Sequence, residues 1–220
     1  MKKGRNCKIY QNAVIFDRVI LGDNVIVFPV AVIGRPSVNT KATARIISSS
    51  GPKTTRIGDN CVIGANAVIY DGVDIGSNTI VCDNACVRSG CRIGAYTLLA
   101  MGVTVNCDTR IGSHVKIMDN THVTGNVVVE DHVFIGPLVS TTNDNSMGRL
   151  KMAIKDMHGP RIKKFATIGA ASAILPNVVI GENAFICAQS LVNRDIPARV
   201  LAGGAPARVM RKLARHEINK

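Results

Sequence analysis

The chain has no tryptophan, and only three tyrosines and five phenylalanines among its 220 residues. A core anchored on large aromatic rings is therefore excluded, although 46% of the residues are hydrophobic and a sizeable core is possible. No run of 18 or more apolar residues occurs, which excludes an apolar membrane-spanning helix. The basic start MKKGRNCKIYQN has no apolar stretch behind it, so it does not read as a secretory leader, and the expected location is cytoplasmic. Acidic residues are scarce: 15 Asp and Glu against 27 Lys and Arg leave a net charge of +12, which calls for an anionic partner. Nucleic acid fits poorly, because the basic residues are not interleaved with aromatics and no nucleic-acid module is recognisable. CxxC pairs are missing as well. The cysteines stand singly at 7, 61, 82, 86, 91, 107 and 187, so they read as small buried hydrophobes, with no metal expected.

What is present is a repeat. Written in sixes from Ile57, the chain carries an aliphatic residue at the first position of fourteen consecutive blocks, from Ile57, Ile63 and Ile69 to Val123, Val129 and Ile135. The fifth position is always small or β-branched, as at Cys61, Ala67, Val73, Thr79, Ala85 and Cys91. The fourth is often Asn, Gly or Asp, as at Asn60, Asn66, Gly72, Asn78 and Asn84, residues that accept left-handed backbone geometry. A period of six suits neither an amphipathic helix nor a free-standing strand. Each block reads as a short extended run followed by a corner, and three blocks close a triangular coil. The period recurs at Ile9 to Ile33 and at Ile168 to Val192, giving 24 blocks and about eight coils stacked at roughly 4.8 Å. The predicted fold is all-β, a left-handed parallel β-helix of hexapeptide repeats, too narrow inside for tryptophan.

Two segments leave the register, 35–56 and 141–165, and are expected as loops. Excursions from a rigid scaffold are where function tends to sit. The repeat stops after Ile196-Pro197. The expected organisation is a β-helix domain over 1–200 and a C-terminal segment over 201–220, the latter a helix beginning near Pro206 that caps the open end.

The stretch GAASAILPNVVIGENAFICAQSLVNRDIPARVLAGGAPARVMRK resembles the terminal coils of hexapeptide-repeat acyltransferases. The segment Val133-Phe134-Ile135-Gly136-Pro137 leading into Thr142-Asn143-Asp144 is similar to the branch that N-acetylates amino sugars carried on nucleotides. The resemblance implies a homotrimer, acetyl-CoA as donor in a groove between prisms, and a nucleotide-linked amino sugar as acceptor. An O-acetyltransferase acting on a sugar or small xenobiotic, or a non-catalytic β-helix scaffold, is the alternative reading.

Acyl transfer from a thioester needs a base for the attacking group and donors for the oxyanion. Five histidines are available: His114, His122, His132, His158 and His216. His114 and His132 share the corner position and are expected to stack beneath Tyr96 as a solvated column. His122 occupies a sixth position, facing outward on a flat face, and is the candidate base. The related lipid A acyltransferases carry an HxxH run whose second histidine is the base; here that slot is Gly125. Asp119 is a candidate to orient His122 or hold an incoming ammonium, or else a turn residue. Asn143 and Asp144 are candidate substrate contacts or an Asx-turn that opens the loop. By resemblance, Gly169, Ala170 and Ala188 line the pantetheine arm, and Arg208 and Lys212 meet CoA phosphates. Basic residues cluster at Arg149, Lys151, Lys155, Arg161, Lys163 and Lys164 and again over 194–220.

Overall fold

The computed structural model describes residues 1–38, 53–149 and 157–219. Strands of mostly two or three residues alternate with corners and build three parallel sheets, the faces of a triangular prism. The first face runs from Lys2–Lys3 to Val179–Ile180, the second from Lys8–Ile9 to Val200–Gly203, and the third from Val14–Ile15 to Leu191–Val192. This is the expected left-handed β-helix, with about ten coils in place of eight. The extra coils come from strands that the count of aliphatic blocks passed over: Lys2–Lys3, Ser140–Thr141, Arg161–Ile162 and Val200–Gly203.

The six-residue code works as steric logic predicts. First-position residues such as Ile63, Ile69, Leu99, Ile117 and Ile135 are fully buried, and each such burial stabilises by about 1.5–3 kcal/mol. Fourth-position residues sit at positive φ, from Asn60 at 56° to Asn126 at 60°. Fifth-position residues do more than fill space. The hydroxyls of Thr79, Thr97, Thr109 and Thr121 donate at 2.8–3.0 Å to carbonyls one coil on. Cys61 and Cys91 make the same bond through sulfur, to Gly76 O at 3.2 Å and Asn106 O at 3.0 Å. Both are buried core residues as expected, and burial pushes the Cys91 thiol up to about 12. All seven cysteines are free thiols.

Both excursions rejoin the prism in register. Pairing normally steps by 18 residues, but across the first excursion the step is 36 and across the second 33. The expected bounds shift inward: Val32–Arg35 and Thr55–Ile57 are strands, as are Ser140–Thr141 and Arg161–Ile162. Ile162 is a fully buried first-position residue; it follows the break, so the repeat resumes one block earlier than Ile168. Residues 39–52 and 150–156, with Lys151 and Lys155, lie outside the described residues.

The C-terminal helix is not formed. Arg208–Lys212 is a strand antiparallel to Val200–Gly203, followed by a single 3-10 turn at Arg215–Glu217. The last coil leaves a strand edge with unpaired backbone groups, and the chain satisfies it by folding back through the Gly203-Gly204-Ala205-Pro206 turn. Gly204, at φ 96°, suits that reversal. Arg211 then binds Glu217 through two bonds of 2.7 and 2.8 Å, fastening the end of the tail and holding the Glu217 carboxyl down at about 2.

Candidate functional site

The outward column of the third face is apolar at both ends and polar in the middle. Val14, Val32 and Val68 lead to Cys86, Thr104, His122 and Ser140, and Ala173 and Leu191 follow. His122 is therefore flanked one coil to either side by hydroxyl residues. Its Nδ1 lies 2.7 Å from Thr104 Oγ1. The ring is half-buried, and desolvation lowers its pKa below the ordinary value of 6.5, because burial disfavours the cation. A neutral imidazole on an open face results.

The other candidates separate by the work their polar atoms do. Asp119 stands at the preceding corner, and among the described residues no hydrogen bond joins it to His122; Thr104 takes the orienting position. Thr104 was missed because it lies 18 residues away, though the register of the repeat contained the signal. Asn143 Nδ2 donates to Gly125 O at 3.1 Å, so the slot without a second histidine anchors the mouth of the second excursion. Asp144 accepts from Ser146 N at 2.7 Å, Ser146 Oγ at 2.6 Å and Gly148 N at 3.0 Å. Its oxygens thus build the start of the loop. Its far end returns to the same corner, where Asn126 Nδ2 donates to Met157 O at 2.9 Å.

Further along, a Cβ on Gly169 would fall 2.4 Å from the backbone nitrogen of Ala188. Coil-to-coil contact therefore requires the glycine there. Ala170 is partly exposed and Ala188 exposed on the same corner. Arg208 and Lys212 are exposed at opposite ends of the edge strand, about 13 Å apart at the rise of a strand.

His114 and His132 form the expected column. Tyr96, His114, His132 and Phe165 stack with ring centroids 4.9, 4.7 and 4.9 Å apart. All four sit at φ 57–60°. Among the described residues no three His, Cys, Asp or Glu converge as a metal site. An open groove of about 760 Å³ lies on the first face along Arg56, Asp74 and Arg92, not beside His122.

Residues 54–89 and 108–143 match the bacterial transferase hexapeptide model, described as six repeats. Over these residues the chain is similar to the hexapeptide-repeat transferases. Among curated hexapeptide-repeat relatives it is 37% identical over 90 residues to serine acetyltransferase 2 of Arabidopsis thaliana, covering 41% of this chain and 27% of that one. It is 36% identical over 91 residues to a galactoside O-acetyltransferase of Lactococcus lactis subsp. lactis, covering 40% of this chain and 44% of the relative. The chain thus spans about a quarter to under a half of these relatives. In fold it is similar to an Arabidopsis UDP-N-acetylglucosamine acyltransferase, with a TM-score of 0.62, 21% identity, and coverage of 96% of this chain and 64% of that one.

Proposed function

We propose that this hexapeptide-repeat protein is a CoA-dependent acyltransferase that N-acetylates an amino sugar carried on a nucleotide, with His122 as the base. The observation that carries acyl transfer is the half-buried His122 held by Thr104 at 2.7 Å. With Nδ1–H donating to Thr104 Oγ1, Nε2 keeps its lone pair and faces outward. It accepts the proton of the attacking amine as nitrogen bonds to the thioester carbonyl. It then returns that proton to the sulfur as the C–S bond breaks. Such a base contributes roughly 10²–10⁴-fold. The exposed Arg208, whose Nη1 also donates to Ala207 O at 2.9 Å, and Lys212 hold the donor's phosphates, and the small corner residues Ala170 and Ala188 leave room for its pantetheine arm. Asn143 and Asp144 shape the acceptor rim through the loop they hold.

The protein acts as a homotrimer in this reading, with the donor's cleft formed where a second prism faces the third face. The second face offers a contact surface: Ile26, Val62, Ile80 and Leu98 form an apolar run, and beyond Lys116 the column continues with Phe134, Thr167 and Phe185; Ile80, Phe134 and Phe185 are 41%, 38% and 41% exposed. Similarity to serine and galactoside acetyltransferases favours a second reading, transfer to a hydroxyl; the same proton path serves it. Incubating the protein with acetyl-CoA and panels of nucleotide-linked amino sugars, simple sugars and serine, while following thiol release, decides between them. Release with none of these acceptors overturns both.

A further inference from the structure

The edge of the third face carries a second charged feature that the transfer chemistry does not use. At the corner position after the third-face strands, Arg35, Tyr70 and Arg88 occupy successive coils, with the strand of Tyr70 between the other two. The guanidinium carbon of Arg35 lies 4.9 Å from the centroid of the Tyr70 ring and that of Arg88 lies 5.5 Å from it. Arg35 Nη1 also donates to the Tyr70 hydroxyl. One phenol thus holds a cation from the coil on each side, and strands two apart are about 10 Å from each other.

Among the described residues neither Arg35 nor Arg88 makes an ion pair, and the buried Nε of Arg88 has no hydrogen-bond acceptor. The nearby carboxylate of Asp71 is engaged by Ser89 Oγ at 2.5 Å and by the backbone of Lys53. Nor can the adjoining excursion supply an acid, since residues 36–56 contain Lys41, Arg45, Lys53 and Arg56 but no Asp or Glu. Arg35 is exposed and Arg88 half-buried, and a guanidinium without a carboxylate partner is a site for a phosphoryl oxygen.

We propose that Arg35 and Arg88 bind the diphosphate of the acceptor, a diphosphate ester whose far end reaches His122. This rests on the reading of His122 as the transfer site. A single phosphate reaches one guanidinium at a time, whereas a diphosphate spans toward both, which selects a diphosphate over a carboxylate or monophosphate. The position fits the acceptor side. Cys86, two residues before Arg88, pairs with Thr104, and Thr104 pairs with His122, so Arg88 sits about 10 Å up the face from the imidazole. The donor, placed at the C-terminal coils, approaches from the opposite direction. The column therefore sorts acceptors by charge, admitting a nucleotide-linked sugar and neglecting a neutral one.

Calorimetric titration of the full chain with inorganic pyrophosphate, inorganic phosphate and coenzyme A tests this. Pyrophosphate should bind at least about tenfold more tightly than phosphate. Arg35→Gln and Arg88→Gln should each weaken it by about tenfold, and the double variant should abolish it while coenzyme A binding stays unchanged. Arg88→Lys keeps the charge and loses only the fork, so it should weaken binding even if Arg88→Gln folds poorly. Unchanged pyrophosphate affinity in the double variant overturns the site. A parallel loss of coenzyme A binding overturns its assignment to the acceptor. His122→Ala should bind pyrophosphate normally; a His122→Ala protein that keeps full turnover removes the base while leaving the anion site standing.

Discussion

Three histidines stand on neighbouring coils of this prism, two at a corner and one on a face, and their surroundings differ in kind. His114 and His132 occupy the fourth position of their blocks, at φ 58° and 59°, exposed and stacked ring on ring with Tyr96 and Phe165. His122 occupies a sixth position on a strand, half-buried, with Thr104 at 2.7 Å and a pKa lowered by burial. Stacking occupies the faces of the corner rings, whereas the face histidine keeps one nitrogen held and one free. Position within the six-residue block, more than residue type, separates a column from a candidate base.

Replacing His122 by Ala is expected to lower turnover by at least about 10²-fold, while His132→Ala leaves it within a few-fold. Initial rates of thiol release read both, and the reverse ranking would break the comparison. Removing the hydrogen bond alone should do less. Thr104→Val is expected to cost about tenfold in turnover, with recovery in Thr104→Ser, because an unheld imidazole samples the wrong tautomer and orientation. A Val variant as active as the parent would mean that the 2.7 Å contact is incidental.

The pH profile sharpens the same contrast. Burial depresses the His122 pKa, so the neutral base persists to lower pH, and the acid limb of kcat/KM should fall below 6.5. In folding the sign is consistent: the unfolded chain binds the proton more readily, so this residue's contribution to stability diminishes as pH falls through the ordinary histidine range. A limb at or above 6.5 would place the titrating group elsewhere. Arg208→Ala with Lys212→Ala should raise the KM for acetyl-CoA several-fold with turnover little changed; an unchanged KM would leave the basic edge strand with only its role in blocking the sheet edge. Smallest of all is the corner. His132→Asn places a residue tolerant of positive φ where the ring stack is lost, and these terms of about 1 kcal/mol oppose each other. Denaturation midpoints should therefore move little; a loss well beyond 1 kcal/mol would show that the column supports the fold.

Much of the fold was legible because hexapeptide rules are short-range. An aliphatic first position, a corner residue that tolerates αL geometry and a small fifth position are each decided by local sterics, and all were found where the spacing placed them. The corner stack could be foreseen for the same reason, as could the burial of Cys61 and Cys91. The tail was misread because Pro206 and the basic run after it carry the local marks of a helix start. An open sheet edge, which no local rule contains, outweighed that propensity through backbone hydrogen bonds at Val200–Gly203.

The candidate site divides along the same line. That His122 faces outward followed from its place in the block. That Thr104 holds it, that Asn143 spends its amide on Gly125, and that Tyr70 carries a guanidinium from each neighbouring coil are relations between strands. The excursions change the pairing step to 36 and 33, so Arg35 meets Tyr70 only because the intervening residues leave and return in register. The sequence alone determined the prism, its inward columns and its corners, through steric choices made within six residues. Only the tertiary structure decided which side chains became neighbours across coils, because stacking a closed coil on the next sets partners by register, not by proximity along the chain.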